Sequence, residues 1–372
     1  MLREELGRWV KRIRGGNKPV GWQERTQLFP ADLIREFRFF QFNLGNVTYF
    51  VRHDSGMDVR VVDTPHFAFA KASRDPDSGA MRAAKASYLE YLEASWPASG
   101  LDTGLEHRES KCQFFLDHIT AIETAQQVGN PVILTRIPGK PGLYVLDGNH
   151  RCAITAALGI ALPAKVLDFT TAFDHFLRVD EFYGTGSKEM PYQSAYLNRQ
   201  IVRQGRRDDI YERLDALPAG FLQGKTVVDV GCNIGMNAIG ARKCGATKVL
   251  GLEVSKRMAN YATRFAVFDG CYPSVSFLPF DANVDQLPAE ERYDVAFMLS
   301  IHNHLSNPAN LAEIARRNVV ESVVFEGHPK TGLSDYQGFL DAVQFSCVEK
   351  ITDMATSVFD RTPSRPLWIL HK

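Results

Sequence analysis

Short apolar runs alternating with helix-period stretches fill the second half of the chain. Thr226 to Val230 is a run suited to a strand buried on both faces, and the backbone then turns through Asp229-Val230-Gly231-Cys232-Asn233-Ile234-Gly235. Met236 to Cys244 follows as a helix stopped by Gly245, and Thr247 to Leu252 is a second buried run that ends on the acid Glu253. Val275 to Leu278 before Asp281, Tyr293 to Ser300, Val319 to Phe325, Phe345 to Ile351 and Leu367 to Leu370 continue the series of strands. Upstream, Pro131 to Ile137 predicts a strand, Gly139 to Gly142 a turn and Leu143 to Leu146 a returning strand. Cys152 to Leu158 then predicts a helix stopped by Gly159, and Leu162 to Leu167 another strand. Residues 1–102 are rich in aromatics. Phe37, Phe39, Phe40 and Phe42 read as core rather than as a base-stacking platform, because few basic residues interleave with them. Gly184, Gly186 and Ser187 break the pattern and place a linker at 181–189.

A strand, a glycine turn, a helix, a second strand and a terminal acid form half of a dinucleotide-style site. The glycines let a ligand approach the main chain, and an acid about 20 residues further on can grip ribose hydroxyls. The turn reads D-x-G-x-N-x-G rather than G-x-G-x-x-G, and in this form residues 181–372 resemble the class I S-adenosylmethionine-dependent methyltransferases. The resemblance implies a doubly wound α/β Rossmann-like domain whose last strand is antiparallel. It implies cofactor contacts at Asp229, Gly231, Asn233, Gly235, Glu253, Asp281 and Ser300. Asp281 would meet the adenine amino group, while Tyr192 would pack on the sulfonium and Arg206 or Arg207 hold the carboxylate, all from a covering segment ahead of the domain.

At 372 residues the chain exceeds what one core supports, and 45% apolar residues suffice for more than one. Lys and Arg total 43 against 43 Asp and Glu, so no global field gathers a polyanion and nucleic acid is not the default partner. The six cysteines form no C-x-x-C pair, which fits a reduced cytoplasmic protein without zinc or redox sites. Glu4 and Glu5 and the lack of a long apolar core argue against a secretory signal in Met1 to Lys18. Leu2, Leu6, Trp9, Val10 and Ile13 nevertheless form one helical stripe flanked by basic residues, so residues 1–18 could rest on an anionic membrane surface or pack on the protein itself.

A second motif, Asp147-Gly148-Asn149-His150-Arg151, sits between strand and helix. It resembles the D-G-x-H-R signature of the ParB/sulfiredoxin-like fold over about residues 103–170. That resemblance implies a small α+β domain at 103–180, onto which residues 1–102 pack, and a phosphate or nucleotide such as ATP at these five residues. A helix start attracts anions, His150 can donate a hydrogen bond and Arg151 can grip oxygens. Kinase or nucleotidase chemistry would need a carboxylate, for which Glu106 and Glu109 are loose candidates. The competing reading is an internal Asp147–Arg151 salt bridge with His150 capping the turn.

In the strand order of the methyltransferase family the fourth and fifth strands are neighbours, and their tails carry Ser300-Ile301-His302-Asn303-His304 and Glu326-Gly327-His328-Pro329. If the first tail stays extended, His302 and His304 share one face, so three imidazoles and a carboxylate surround one cleft. An imidazole near neutrality can remove a hydroxyl proton, which favours O-methylation with His302, His304, His328 and Glu326 as catalytic candidates. A divalent metal held by the same groups, or histidines that only shape the pocket, are the alternatives. The expected activity is methylation of a small molecule or glycan precursor, with an N-terminal unit handling phosphate. A nucleic-acid methyltransferase and a non-catalytic ligand sensor remain competing classes, the former disfavoured by neutral charge and the absence of an N-P-P-[YF] signature.

Overall fold

The computed structural model describes residues 26–39, 49–50, 59–95, 104–169, 192–354 and 365–372. The amphipathic stripe at 1–18, the linker at 181–189 and the aromatics Phe40 and Phe42 lie outside the described residues. The described chain divides into two compact units, one ending by Phe169 and one starting at Tyr192.

The first unit contains β1 (Gln27–Phe29), α1 (Ala31–Arg35), β2 (Arg38–Phe39), α2 (Pro65–Ala72), α3 (Gly79–Ser95), α4 (Leu105–Ala125), β3 (Val132–Thr135), β4 (Tyr144–Asp147), α5 (Asn149–Leu158) and β5 (Leu162–Leu167). The strands form one mixed sheet in the order β1-β5-β3-β4-β2, with β3 parallel to β5 and antiparallel to β4. Thr64 starts α2 by accepting a 3.2 Å hydrogen bond from the Phe67 amide, and Pro65 fits the first helical position, where no amide hydrogen is needed. The core between the helices is aromatic. Phe69, Tyr88 and Phe115 are fully buried, and the rings of Phe69 and Tyr88 stack at 5.3 Å.

The second unit contains β6 (Ala195–Leu197), β7 (Gln200–Arg203), α6 (Ile210–Asp215), β8 (Thr226–Val230), α7 (Met236–Lys243), β9 (Lys248–Glu253), α8 (Lys256–Phe268), β10 (Val275–Pro279), β11 (Tyr293–Leu299), α9 (Pro308–Asn318), β12 (Val319–Glu326), α10 (Gln337–Val343), β13 (Cys347–Met354) and β14 (Arg365–His371). Seven of its strands form a sheet in the order β10-β9-β8-β11-β12-β14-β13. The first five are parallel, and β14 runs antiparallel to both β12 and β13. Val227 and Val228 of β8 are completely buried, which is why this strand reads as a continuous apolar run rather than an alternating one. The order reverses between β8 and β11, so a crevice opens beyond the carboxyl ends of these strands. Among the described residues no helix is long and apolar enough to cross a membrane.

Packing between β9 and β10 admits no side chain at Gly251, where an added Cβ would lie 2.3 Å from the Phe277 ring. Gly251→Ala should therefore cost about 1–3 kcal/mol through overpacking and lower the melting temperature by several degrees. Gly338 in α10 has nothing within 4 Å of an added Cβ, so Gly338→Ala should stabilise by up to about 1 kcal/mol. Thermal unfolding of the two variants checks the opposite signs.

Candidate active site

The glycine turn follows β8 directly. Gly231 has φ 76° and lies so close to the β11 tail that an added Cβ would meet the Ile301 side chain at 2.6 Å, so only glycine allows both the turn and the contact. The acids stand at the ends of neighbouring strands. Glu253 ends β9, and its two oxygens accept 2.9 Å hydrogen bonds from the amides of Asn233 and Ser255. This fixes the carboxylate against the turn while leaving lone pairs for a ligand. Asn233 reaches its position with φ 55°. Asp281 follows β10, and one of its oxygens accepts from both the Asn283 amide and side chain at 2.9 Å, bonds that hold its pKa below the ordinary value. Two apolar side chains that pattern reading passed over flank these acids: Val254 and Leu278, 66% and 50% exposed at the same strand ends, offer a surface for a flat ring. Their signal in the sequence was position alone, Val254 directly after Glu253 and Leu278 three residues before Asp281.

Asp229 is 1% exposed at the base of the turn, and its Oδ2 has no hydrogen-bond partner. Burial pushes its pKa up to about 7 against the pull of Arg213, with Glu253 adding to the rise. The carboxyl thus lies buried beneath an exposed glycine turn with one oxygen unpartnered.

Glu326 is not a free carboxylate. It is 1% exposed at the end of β12 and accepts from Arg207 at 3.1 Å through both oxygens, from Arg213 Nε at 2.9 Å and from the Ser300 hydroxyl. Asp209 completes the cluster, bound to Arg207 at 2.7 Å and to Arg213 at 3.3 Å. Burial alone would raise the Glu326 pKa, but Arg213 and Arg207 with their hydrogen bonds override it and hold it down at about 2. Three expectations change accordingly. Glu326 is spent on two guanidiniums and cannot serve as a base or a metal ligand. Arg207 is 3% exposed with its donors aimed at acids, which removes it from a cofactor carboxylate, and the Ser300 hydroxyl faces the cluster instead of the crevice. Asp209 and Arg213 are the members that sequence reading missed. Their signal was the spacing of four, an ion pair at the start of α6. Tyr192 keeps a 42% exposed side chain, and its main chain pairs with Arg207.

The β11 tail does not stay extended. His302–His304 is a 3-10 turn, so His302 and His304 part company. The His302 ring lies edge-on to Tyr336 at 5.2 Å and Phe339 at 5.6 Å, a wall-forming position. His304 instead approaches His328, with ring centroids 6.2 Å apart. Partial burial lowers the His328 pKa from its ordinary value, and Arg365 and His304 add to the shift. The His328 amide donates to the Tyr336 hydroxyl at 2.7 Å. Among the described residues no group of three or more His, Cys, Asp or Glu side chains is placed to hold a metal ion.

In the first unit, the expected phosphate residues are internally committed. Arg151 donates to Asp147 at 2.9 Å and to the carbonyls of Asn130 and Pro131 at 2.8 and 3.1 Å. His150 pairs through Nε2 with the Tyr88 hydroxyl at 2.7 Å, and burial, with His66, Lys111, His118 and Arg151 nearby, holds its pKa well below the ordinary value. The geometry matches the Asp147–Arg151 salt bridge of the competing reading but not its cap, since α5 has no side-chain cap hydrogen bond and His150 bonds Tyr88, and neither side chain is free to carry phosphate in a kinase or nucleotidase step. Glu109 is paired with Lys85 at 2.5 Å. Gly148, with φ 104°, has Val132 at 2.5 Å from an added Cβ, so the turn itself demands glycine.

Residues 227–319 match the family described as a methyltransferase domain. The second unit carries a methyltransferase domain. Two curated relatives are named probable protein arginine N-methyltransferase 3. That of Arabidopsis thaliana is 33% identical over 102 residues, 27% of this chain and 16% of the relative, and that of Oryza sativa subsp. japonica is 31% identical over 126 residues, 33% of this chain and 18% of the relative. The chain thus spans less than a fifth of either relative. Similar solved structures include a magnesium protoporphyrin IX methyltransferase from Synechocystis PCC 6803 with bound S-adenosylmethionine, at 20% identity over 44% of this chain and 76% of that one with a TM-score of 0.35. Another is a S-adenosylmethionine-dependent methyltransferase from Mesorhizobium loti, at 18% identity over 44% and 97% with a TM-score of 0.33. The expectation of a small-molecule or glycan acceptor is overturned by the curated relatives, whose names specify a protein acceptor.

The ion cluster makes a pH-dependent prediction. The folded Glu326 pKa lies near 2, below its ordinary 4.5, so its contribution is present above the unfolded pKa and is lost as pH falls towards 2. Glu326→Gln should cost about 3–5 kcal/mol near neutrality by leaving two buried guanidiniums to share the single carboxylate of Asp209. Denaturant melts of wild type and variant should converge between about pH 5 and pH 2.

Proposed function

We propose that the second unit is an S-adenosylmethionine-dependent methyltransferase that acts on a protein side chain. The observation that carries the cofactor is the exposed Gly231 turn after β8, with the fixed carboxylates of Glu253 and Asp281 at the ends of the next two strands and the buried, unpartnered oxygen of Asp229 at its base. In this reading Glu253 holds the ribose hydroxyls, Asp281 accepts from the adenine amine, Val254 and Leu278 cover the ring, and Asp229 faces the amino-acid end. Tyr192 closes the crevice from the covering segment. When bound, the cofactor supplies a methyl group on a cationic sulfur.

The acceptor class rests on the relatives' names, and with it the preferred atom moves from oxygen to an arginine nitrogen. A nitrogen that gains a methyl group must lose a proton, and His328 beside His304 is the base in this assignment because its pKa is held below the ordinary imidazole value, which favours the proton-accepting form. His302 shapes the wall on which the acceptor rests. The acceptor being protein, this reading has no role for the nucleic-acid alternative.

Glu253→Ala should weaken cofactor binding at least about tenfold in calorimetry, through loss of hydrogen bonds from a charged group. His328→Ala should slow methyl transfer about 10²–10⁴-fold with cofactor affinity intact, and the wild-type rate should stay high to a lower pH than an ordinary imidazole allows, since the His328 pKa is depressed. Incubating the protein with methyl-labelled cofactor and a protein extract should put label into methylated arginine. Label confined to small molecules, or none with any protein fraction, would sink the acceptor assignment while leaving the cofactor site to the calorimetry.

A further inference from the structure

Arg365 opens β14 beside the tail of β12. The Gly327 amide donates to the Pro366 carbonyl at 2.9 Å, which holds the two segments together past the end of the sheet. In their antiparallel register Glu326 faces Leu367, and the same register carried two residues further sets His328 opposite Arg365. Alternation along a strand puts Arg365 on the face of Leu367 and Glu326. Arg365 stands near enough to His328 to add to the lowering of its pKa that burial begins, as does His304, whose ring centroid is 6.2 Å from that of His328. The guanidinium is half-buried, and such a group stays charged at any working pH. Its Nε and Nη1 are shielded from solvent and have no hydrogen-bond partner. Glu326, the acid on the same face, is committed to Arg207 and Arg213 at 3.1 and 2.9 Å. Shielded donors on a cation cost free energy until an acceptor meets them, and an anion meets them most strongly. An arginine acceptor adds a second positive charge at this place, which weakens the complex unless a negative group arrives with it.

We propose that Arg365 binds a carboxylate of the acceptor, so that the enzyme selects an arginine with an aspartate or glutamate close to it in the protein chain. This selection rests on the protein-arginine acceptor proposed above. Arg365 takes no proton and touches no reacting atom; it is a positioning residue that holds the acceptor chain while the methylated nitrogen meets His328. One carboxylate balances one guanidinium, so the acceptor's own charge no longer opposes its approach.

The test uses the full chain with methyl-labelled cofactor and a library of peptides built around a single arginine, with Glu, Gln or Lys at the flanking positions. Peptides with Glu should be methylated with a kcat/KM at least about tenfold above that of their Gln counterparts, chiefly through a lower KM, and peptides with Lys should fall below both. Arg365→Gln should erase the difference between Glu and Gln, and Arg365→Lys, which keeps the charge, should retain part of it. Equal rates on Glu and Gln peptides in the wild type, or a preference that survives in Arg365→Gln, would overturn the carboxylate site while leaving the arginine acceptor standing. Label on no arginine in any peptide would overturn the acceptor assignment and this selection with it. The wild-type comparison of Glu, Gln and Lys peptides decides if Arg365→Gln does not fold.

Discussion

The second unit depends on a buried ion cluster of two acids and two guanidiniums. Arg207 and Arg213 share Asp209 and Glu326, and nothing in the set is more than a few per cent exposed. Taking four charges out of water is expensive, and the cost is recovered only when nearly every donor finds an acceptor in good geometry. Here each carboxylate serves both guanidiniums, and Arg213 spends a further donor on Asn237 at 2.8 Å in α7. The cluster thereby joins the β12 end, α6 and the helix that follows the glycine turn.

That junction governs the crevice. Ser300, at φ 55°, donates its hydroxyl to Glu326 and its amide to the Glu326 carbonyl at 3.0 Å, so the β11 tail is fixed as it leaves the sheet. The next residue, Ile301, is the side chain against which Gly231 is pressed. Arg213 also draws down the carboxyl of Asp229, which burial raises. A change in the cluster would therefore be felt at the turn in shape and in charge, although no member of the cluster points into the crevice.

The first unit solves a different problem. Its core is built from rings, and His66 sits among them, 4.6 Å from Tyr91 and 4.9 Å from His150. An imidazole can be buried this way only if neutral, and burial holds the His66 pKa at about 3. The Tyr88 hydroxyl meets the His150 ring as a partner, whereas His66 Nδ1 has none. The mixed sheet supplies a rigid frame, and β4 delivers the Gly148 turn to the edge of a cavity.

Strand and helix positions were legible along the chain because burial on both faces leaves continuous apolar runs, and glycines with positive φ must stand at the turns. Thr226 to Val230, Met236 onward and Leu162 to Leu167 all form the elements their patterns predict. The acids that end β9 and follow β10 were legible too, since strand ends in a parallel sheet point to one crevice. What sequence could not decide was how charged side chains pair. Glu326 and Arg207 carry the same formal charges whether they face a ligand or each other, and only their 3.1 Å approach across 119 positions, with Asp209 and Arg213 beside them, assigns them to the interior. Likewise His302-Asn303-His304 reads as one face if extended, but hydrogen bonding in the 3-10 turn sends the two rings to different walls. Local sequence determined the scaffold because its signals are short-range; tertiary packing decided the chemistry because desolvation and ion pairing depend on what lies far away in the chain.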